Sequence, residues 1–103
     1  MPRSYSYKFL LALTNSDPTR LGVKLGRLCV DANLPAAYIA KALDVSRITV
    51  YSWFRGQGIR EEKRKTVEAF IDLVNKDISI GIIPARTLFD AKLYIEGMVG
   101  KKI

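Results

Sequence analysis

Apolar positions recur every three to four residues over most of this chain, the period of a helix that buries one side. "SYSYKFLLAL", Ser4 to Leu13, reads as a short first helix or an ordered arm. "NSDPTR" then marks a boundary. Asp17 is placed to cap the next helix through its carboxylate, and Pro18 suits the first helical position. That helix is expected to run to about Asn33, with Leu21, Leu25, Leu28 and Ala32 on one face. Gly22 and Gly26 each cost about 1 kcal/mol relative to Ala in a helix interior. Their presence points to close packing against a neighbouring helix.

A short helix follows from Pro35 to Leu43, with Ile39, Ala40 and Leu43 inward. Asp44 and Val45 interrupt it, and Ser46 restarts the pattern as the N-cap of a helix reaching about Arg55. Val50, Trp53 and Phe54 form its buried face, and Gly56 supplies the left-handed residue that ends it. A longer helix is expected from Arg60 to Lys76, with Val67, Phe70, Ile71 and Val74 as its core stripe. Glu61 and Glu62 in its first turn suit the macrodipole. "DISIGIIP" alternates at Ile78, Ile80 and Ile82, and reads as a short strand or an extended connector near 78–83. "PARTLFDAKLYIEGM" gives a final helix with Leu88, Ala91 and Ile95 inward and Phe89 as a further candidate. Gly97 and Gly100 end it, and "KKI" reads as a frayed tail. No internal repeat or low-complexity segment is visible. The fold class is therefore all-α, one compact helical domain over residues 1–103.

Two short helices joined by a tight turn, the second restarted by a serine cap, describe a helix-turn-helix. The small Ala40 allows a close crossing, and Val45 fills the corner. Val50 and Trp53 fix the second helix on the core. Rotation by about 100° per residue then puts Ile48, Ser52 and Arg55 nearly opposite Val50, with Thr49 and Tyr51 on the flanks. Arg47 projects from the first turn, the end that usually enters a major groove.

Charge sharpens this picture. The chain has 103 residues and a formal net charge of +7, from 17 Lys+Arg against 10 Asp+Glu, with a sequence pI near 9.8. Such a domain is suited to a polyanion, meaning nucleic acid or an anionic membrane surface. "FRGQGIREEKRK" follows the second helix directly and carries Arg55, Arg60, Lys63, Arg64 and Lys65 against Glu61 and Glu62. These cations, with Gln57 and the loop amides, are candidates to clamp phosphates.

Other chemistry is hard to build here. The single cysteine, Cys29, rules out an intrachain disulfide and favours a reducing, cytoplasmic location. The absence of histidine removes the commonest general base and metal ligand, and leaves too few ligands for structural zinc. There is no nucleophile–base pair, phosphate loop or carboxylate dyad. No enzyme activity, cofactor or small-molecule substrate is expected. "YKFLLALTN" is too short to span a bilayer and lacks a following cleavage site, so neither membrane insertion nor a signal peptide is expected.

From Leu21 to Gly56, about a third of the chain, the sequence resembles the Cro and phage-repressor (lambda-repressor-like) helix-turn-helix family. The resemblance rests on "LGVKLGRLCVDANL", "IAKALDVS" and "RITVYSWFRG", where Ala40, Leu43, Val45, Ser46, Val50, Trp53 and Gly56 fall at the family's positions. It implies that Ser46, Arg47, Ile48, Tyr51 and Ser52 match sites facing base edges or nearby phosphates. Two positions depart from the pattern. Asp44 stands at the turn position that is usually glycine, and Ala36 stands where a glutamine often holds a phosphate.

The resulting expectation is a sequence-specific double-stranded DNA-binding protein, a transcriptional regulator of phage or mobile-element type acting at an operator. Its candidate DNA contacts are Ser46, Arg47, Ile48, Thr49, Tyr51, Ser52, Arg55, Gln57, Lys63 and Arg64. Family members commonly bind as dimers to inverted half-sites. Residues 77–103, beyond the motif core 21–76, are thus either the candidate dimerisation element or a segment that completes the monomer core. The alternative is an interaction protein of the same fold that binds a host factor, or a DNA-packaging recognition subunit.

Overall fold

In the computed structural model, which describes residues 5–100 and Lys102, the chain winds into six helices. They are α1 (Tyr7–Thr14), α2 (Leu21–Asp31), α3 (Ala36–Leu43), α4 (Arg47–Phe54), α5 (Glu61–Ser79) and α6 (Leu88–Val99). Ser4, Lys101 and Ile103 lie outside the described residues, and with them most of the "KKI" tail. The fold is all-α, with no strand among the described residues.

Helix ends follow from local chemistry. Ser6, Ser46 and Thr87 cap α1, α4 and α6 with their hydroxyls. Asp17 does not cap α2 as expected. Its carboxylate accepts instead from the Thr19 N–H at 2.9 Å and the Thr19 hydroxyl at 2.7 Å, closing a turn before the helix. Pro18 lies in that turn, and Arg20 is the N-cap with no side-chain capping bond.

The segment expected to be extended near 78–83 is helical and then turned. α5 continues through Ser79, and Gly81 adopts φ +83°. The Gly81 N–H bonds to Ile78 O and the Ile82 N–H to Asp77 O, the paired bonds of a Schellman stop. Ile80 and Ile82 are left exposed and Ile83 is buried, so the inward residue is one place beyond the alternating set. On α6, Ala91 and Ile95 face the core, but Leu88 and Phe89 are exposed. Gly97 lies inside that helix, and only Gly100, at φ +82°, ends it.

The core gathers one face of each helix. Leu25, Leu28 and Cys29 meet Ile39 and Leu43, then Val50, Trp53 and Phe54, then Val67, Phe70 and Val74. Leu21 and Ile71 reach it only in part. α2 and α4 are in backbone contact. A Cβ on Gly22 would sit 2.1 Å from the Trp53 carbonyl oxygen, and one on Gly26 about 3.0 Å from Leu13. Glycine is required at Gly22 because backbone, not a movable side chain, faces it.

Residues beyond Lys76 complete this core. Ile83, Ala85, Ala91 and Ile95 are all buried, and α6 packs along α3. The Ala85 N–H donates to Ala32 O at 3.0 Å, and the buried Asn33 amide returns a bond to Ala85 O at 2.8 Å. Asn33 can do so because it takes φ +56°, which asparagine tolerates.

Burial also makes the fold sensitive to alkali. It pushes the Cys29 thiol above its ordinary 9.0. Burial, then Cys29 and Tyr51, pushes the Tyr5 phenol above its ordinary 10.0. The Tyr5 hydroxyl donates to Leu34 O at 2.6 Å. Both groups hold their protons more tightly folded than unfolded. Their stability contribution is therefore complete below the unfolded values and is lost as pH rises past them. Denaturation midpoints should fall between about pH 8 and about pH 10.5, and Cys29→Ala should flatten the early part of the fall. Equal midpoints at the two pH values would contradict the burial of these groups.

Candidate nucleic-acid interface

The turn between α3 and α4 sets the site. Asp44 takes the left-handed conformation, φ 56° and ψ 50°, so an aspartate serves where glycine would be easier. The Val45 N–H bonds back to Ala40 O at 3.0 Å. Ser46 then caps α4 by accepting from the Thr49 N–H at 3.1 Å, and the two hydroxyls lie 2.9 Å apart. Val50, Trp53 and Phe54 anchor one side of α4, all at 5% exposure or less.

The other side is open. Arg47 is exposed and makes no hydrogen bond or ion pair among the described residues. Ile48 is 78% exposed, the most exposed of the large apolar side chains among the described residues. Ser52 is half-buried, and Arg55 approaches its hydroxyl at 3.5 Å. Gln57 is exposed one residue past Gly56, whose φ of +97° closes α4. Arg47, Ile48, Ser52, Arg55 and Gln57 therefore share one outward surface.

Four candidates sit differently. The Thr49 hydroxyl is engaged with Ser46. Tyr51 is half-buried and meets Phe9 and Phe54 edge-on, with ring centres 5.7 and 5.9 Å away. It is the flank that docks α1, so it has a structural task beside any contact with a ligand. Lys63 donates from Nζ to Leu43 O at 3.0 Å and so ties α5 to the last carbonyls of α3. Its ammonium also lines a cleft of about 390 Å³ with Ile48, Ser52, Gln57 and Arg60. Arg64 turns to the other side of α5, toward Thr19, Arg20 and Gln57. The Arg60–Glu62 ion pair, 3.9 Å long and 87% and 74% exposed, contributes little.

Arg20 belongs with these residues and was not legible as one of them. Its Nε donates to Gly56 O at 2.9 Å, which places a guanidinium at the end of α4. Its only sequence signal was membership of a boundary segment. Between Lys41 and Lys65 the chain holds seven basic residues against three acidic ones, and α4 itself carries no acid. The surface around α4 is thus cationic, apolar at Ile48 and poor in internal partners.

Among the described residues no group of His, Cys, Asp and Glu is placed to hold a metal ion. No described helix is long and apolar enough to cross a membrane. No family model matches the chain, and no curated protein or solved structure matches it either.

Proposed function

We propose that this protein binds double-stranded DNA sequence-specifically, with α4 in the major groove, and acts as a transcriptional regulator of the phage-repressor type. The observation that carries the reading is Arg47 and Ile48. Both stand exposed on the first turn of a helix whose opposite side is locked into the core, with nothing among the described residues engaging the arginine side chain. An arginine there can give a bidentate contact to guanine O6 and N7, and an isoleucine can meet a thymine methyl. Arg20, Arg60 and Arg64 flank the helix and suit phosphates. A regulator of this kind works beside DNA in a reducing cytoplasm, where the unpaired Cys29 is stable as a thiol.

The apolar surface of Ile80, Ile82, Leu88, Phe89 and Leu93 favours a homodimer. A two-fold dimer would select half-sites centred about 10–10.5 bp apart, or a multiple of that. The same exposed apolar groups, with Ile48, are what favours the second reading, an interaction protein that docks a protein partner.

Selection of bound sites from a random DNA pool tests the proposal. Arg47→Ala should then weaken the selected site by about 1–3 kcal/mol and relax preference at one base pair. Arg64→Ala should weaken selected and scrambled duplexes alike. If Arg47→Ala lowers both affinities equally, α4 is not the reading helix. If no duplex is bound at low salt, the interaction-protein reading replaces this one.

A further inference from the structure

The chain does not stop at α6. Gly100 takes the left-handed conformation, and its N–H bonds to Glu96 O at 2.8 Å. Beyond this stop, Lys102 lies beside the α3–α4 turn. It shares a cleft of about 590 Å³ with Lys41 of α3, Asp44 of the turn and Arg47 of α4. Three cations from separate parts of the sequence therefore converge on one opening.

None of the three side chains makes a hydrogen bond or ion pair among the described residues. Lys41 and Lys102 are exposed. Asp44 is exposed as well and forms no ion pair among the described residues. The three cations outnumber the one carboxylate of the cleft, Asp44, and an anion in the opening relieves the repulsion that remains. Ala37 and Ala40 line the same cleft with small side chains, which leaves room for an anion of some size. The location narrows the choice. α4 has eight residues and spans about 12 Å, close to the width of about 12 Å for a B-DNA major groove. Arg20 marks one end of that helix, and this cleft marks the other.

We infer that the cleft holds a DNA backbone phosphate beside the groove that α4 enters, with Lys41 and Lys102 as its clamps. Arg47, longer and on the helix itself, is left to reach a base. The inference rests on the proposed DNA-binding function. It adds a contact at the N-terminal end of α4, where Lys63 of the basic run is engaged on Leu43 O. The two ends of the reading helix are then held by separate phosphates, which fixes its register along the groove.

The experiment is a salt series on the full chain, with a duplex selected from a random pool and a scrambled duplex of equal length. Lys41→Ala and Lys102→Ala should each make the slope of log affinity against log salt shallower by about 0.9. Each should weaken both duplexes by the same factor. Lys102→Arg should keep the wild-type slope. Lys76→Ala is the control, because it lies about 20 Å along α5 from Lys63 and should change nothing. An unchanged slope for Lys102→Ala, while the wild type still binds, overturns the clamp and leaves the DNA reading standing. Loss confined to the selected duplex assigns Lys102 to bases and overturns the phosphate assignment. Displacement of the duplex by an equal concentration of inorganic phosphate would mean that the cleft takes a free ion. Failure of the wild type to bind either duplex removes the function and the clamp together.

Discussion

A chain cut after Lys76 should lose cooperative folding. The deletion removes Ile83, Ala85, Ala91 and Ile95 from the core and breaks both backbone ties at Ala85. Truncating one buried Ile to Ala costs about 2–5 kcal/mol, and two such residues are removed here along with a whole helix. The conformational entropy of the deleted residues is recovered. However, the face of α3 that they covered is newly exposed. A domain of this size has about 5–15 kcal/mol of stability in total, so a loss on this scale is decisive. Thermal melting followed by circular dichroism should show a broad transition or none. A sharp melt within a few degrees of the full chain would show that residues 77–103 are a separable appendage. The same reasoning means that deletion cannot test dimerisation. Ile82→Ser and Phe89→Ser can, because both side chains are exposed and leave the core intact. A lowered mass in sedimentation at unchanged stability would place a dimer interface there.

Helices with a cap, a periodic stripe and a left-handed stop were legible in the sequence. α4 is the clearest case, with Ser46 before it, Val50, Trp53 and Phe54 along it, and Gly56 after it. α3 was legible from its stripe of Ile39, Ala40 and Leu43 without a side-chain cap, even with Asp44 as its unusual stop. The failures have physical causes. Asp17 precedes a proline and could cap either a helix or a turn, and the nearer Thr19 took its carboxylate. Ile78 to Ile83 is too short a run to separate a strand from the last turn of a helix. There the Gly81 stop decided, together with the fit of Ile83 into the core. Phe89 was a further candidate for the inward face of α6 and is exposed. Its true side depends on where α6 lands on α3, a tertiary fact with no local signal.

The candidate site divides in the same way. Periodicity alone put Ile48 and Arg55 outward, and both are exposed. It put Tyr51 on a flank but could not show that Phe9 of α1 would cover it. Lys63 looked like one cation in a run, yet its ammonium is fixed on Leu43 O, twenty positions away in sequence. Arg20 and Lys102 were invisible as site residues because only the packing of α2 on α4 and of α6 on α3 brings them there. Local patterns thus exposed the helix that presents the surface. The long-range contacts assembled the charges around it.

Trp53→Ala should lower stability by about 3–5 kcal/mol, the usual scale for emptying a large aromatic site in a packed core. Trp53 is 5% exposed, and its main-chain carbonyl sits in the space that only glycine leaves at Gly22. The backbone there cannot collapse inward, because α2 already touches it, so the cavity stays open. The expected change in melting temperature is on the order of 15–30 °C for a domain of this size. Trp53→Phe keeps much of the packed volume and should cost less than half as much. Native fluorescence should be blue-shifted and should move to the red on unfolding. The effect on binding separates support from contact. Trp53 anchors α4 from within, so at a temperature where Trp53→Phe is fully folded its preference among base pairs should match that of the wild type. Arg47→Ala, by contrast, should change the preference at wild-type stability. A Trp53→Ala variant that melts within about 5 °C of the wild type, a loss near 1 kcal/mol, would mean that α4 is held by other contacts. The exposed position of Arg47 would then have to be explained without its anchor.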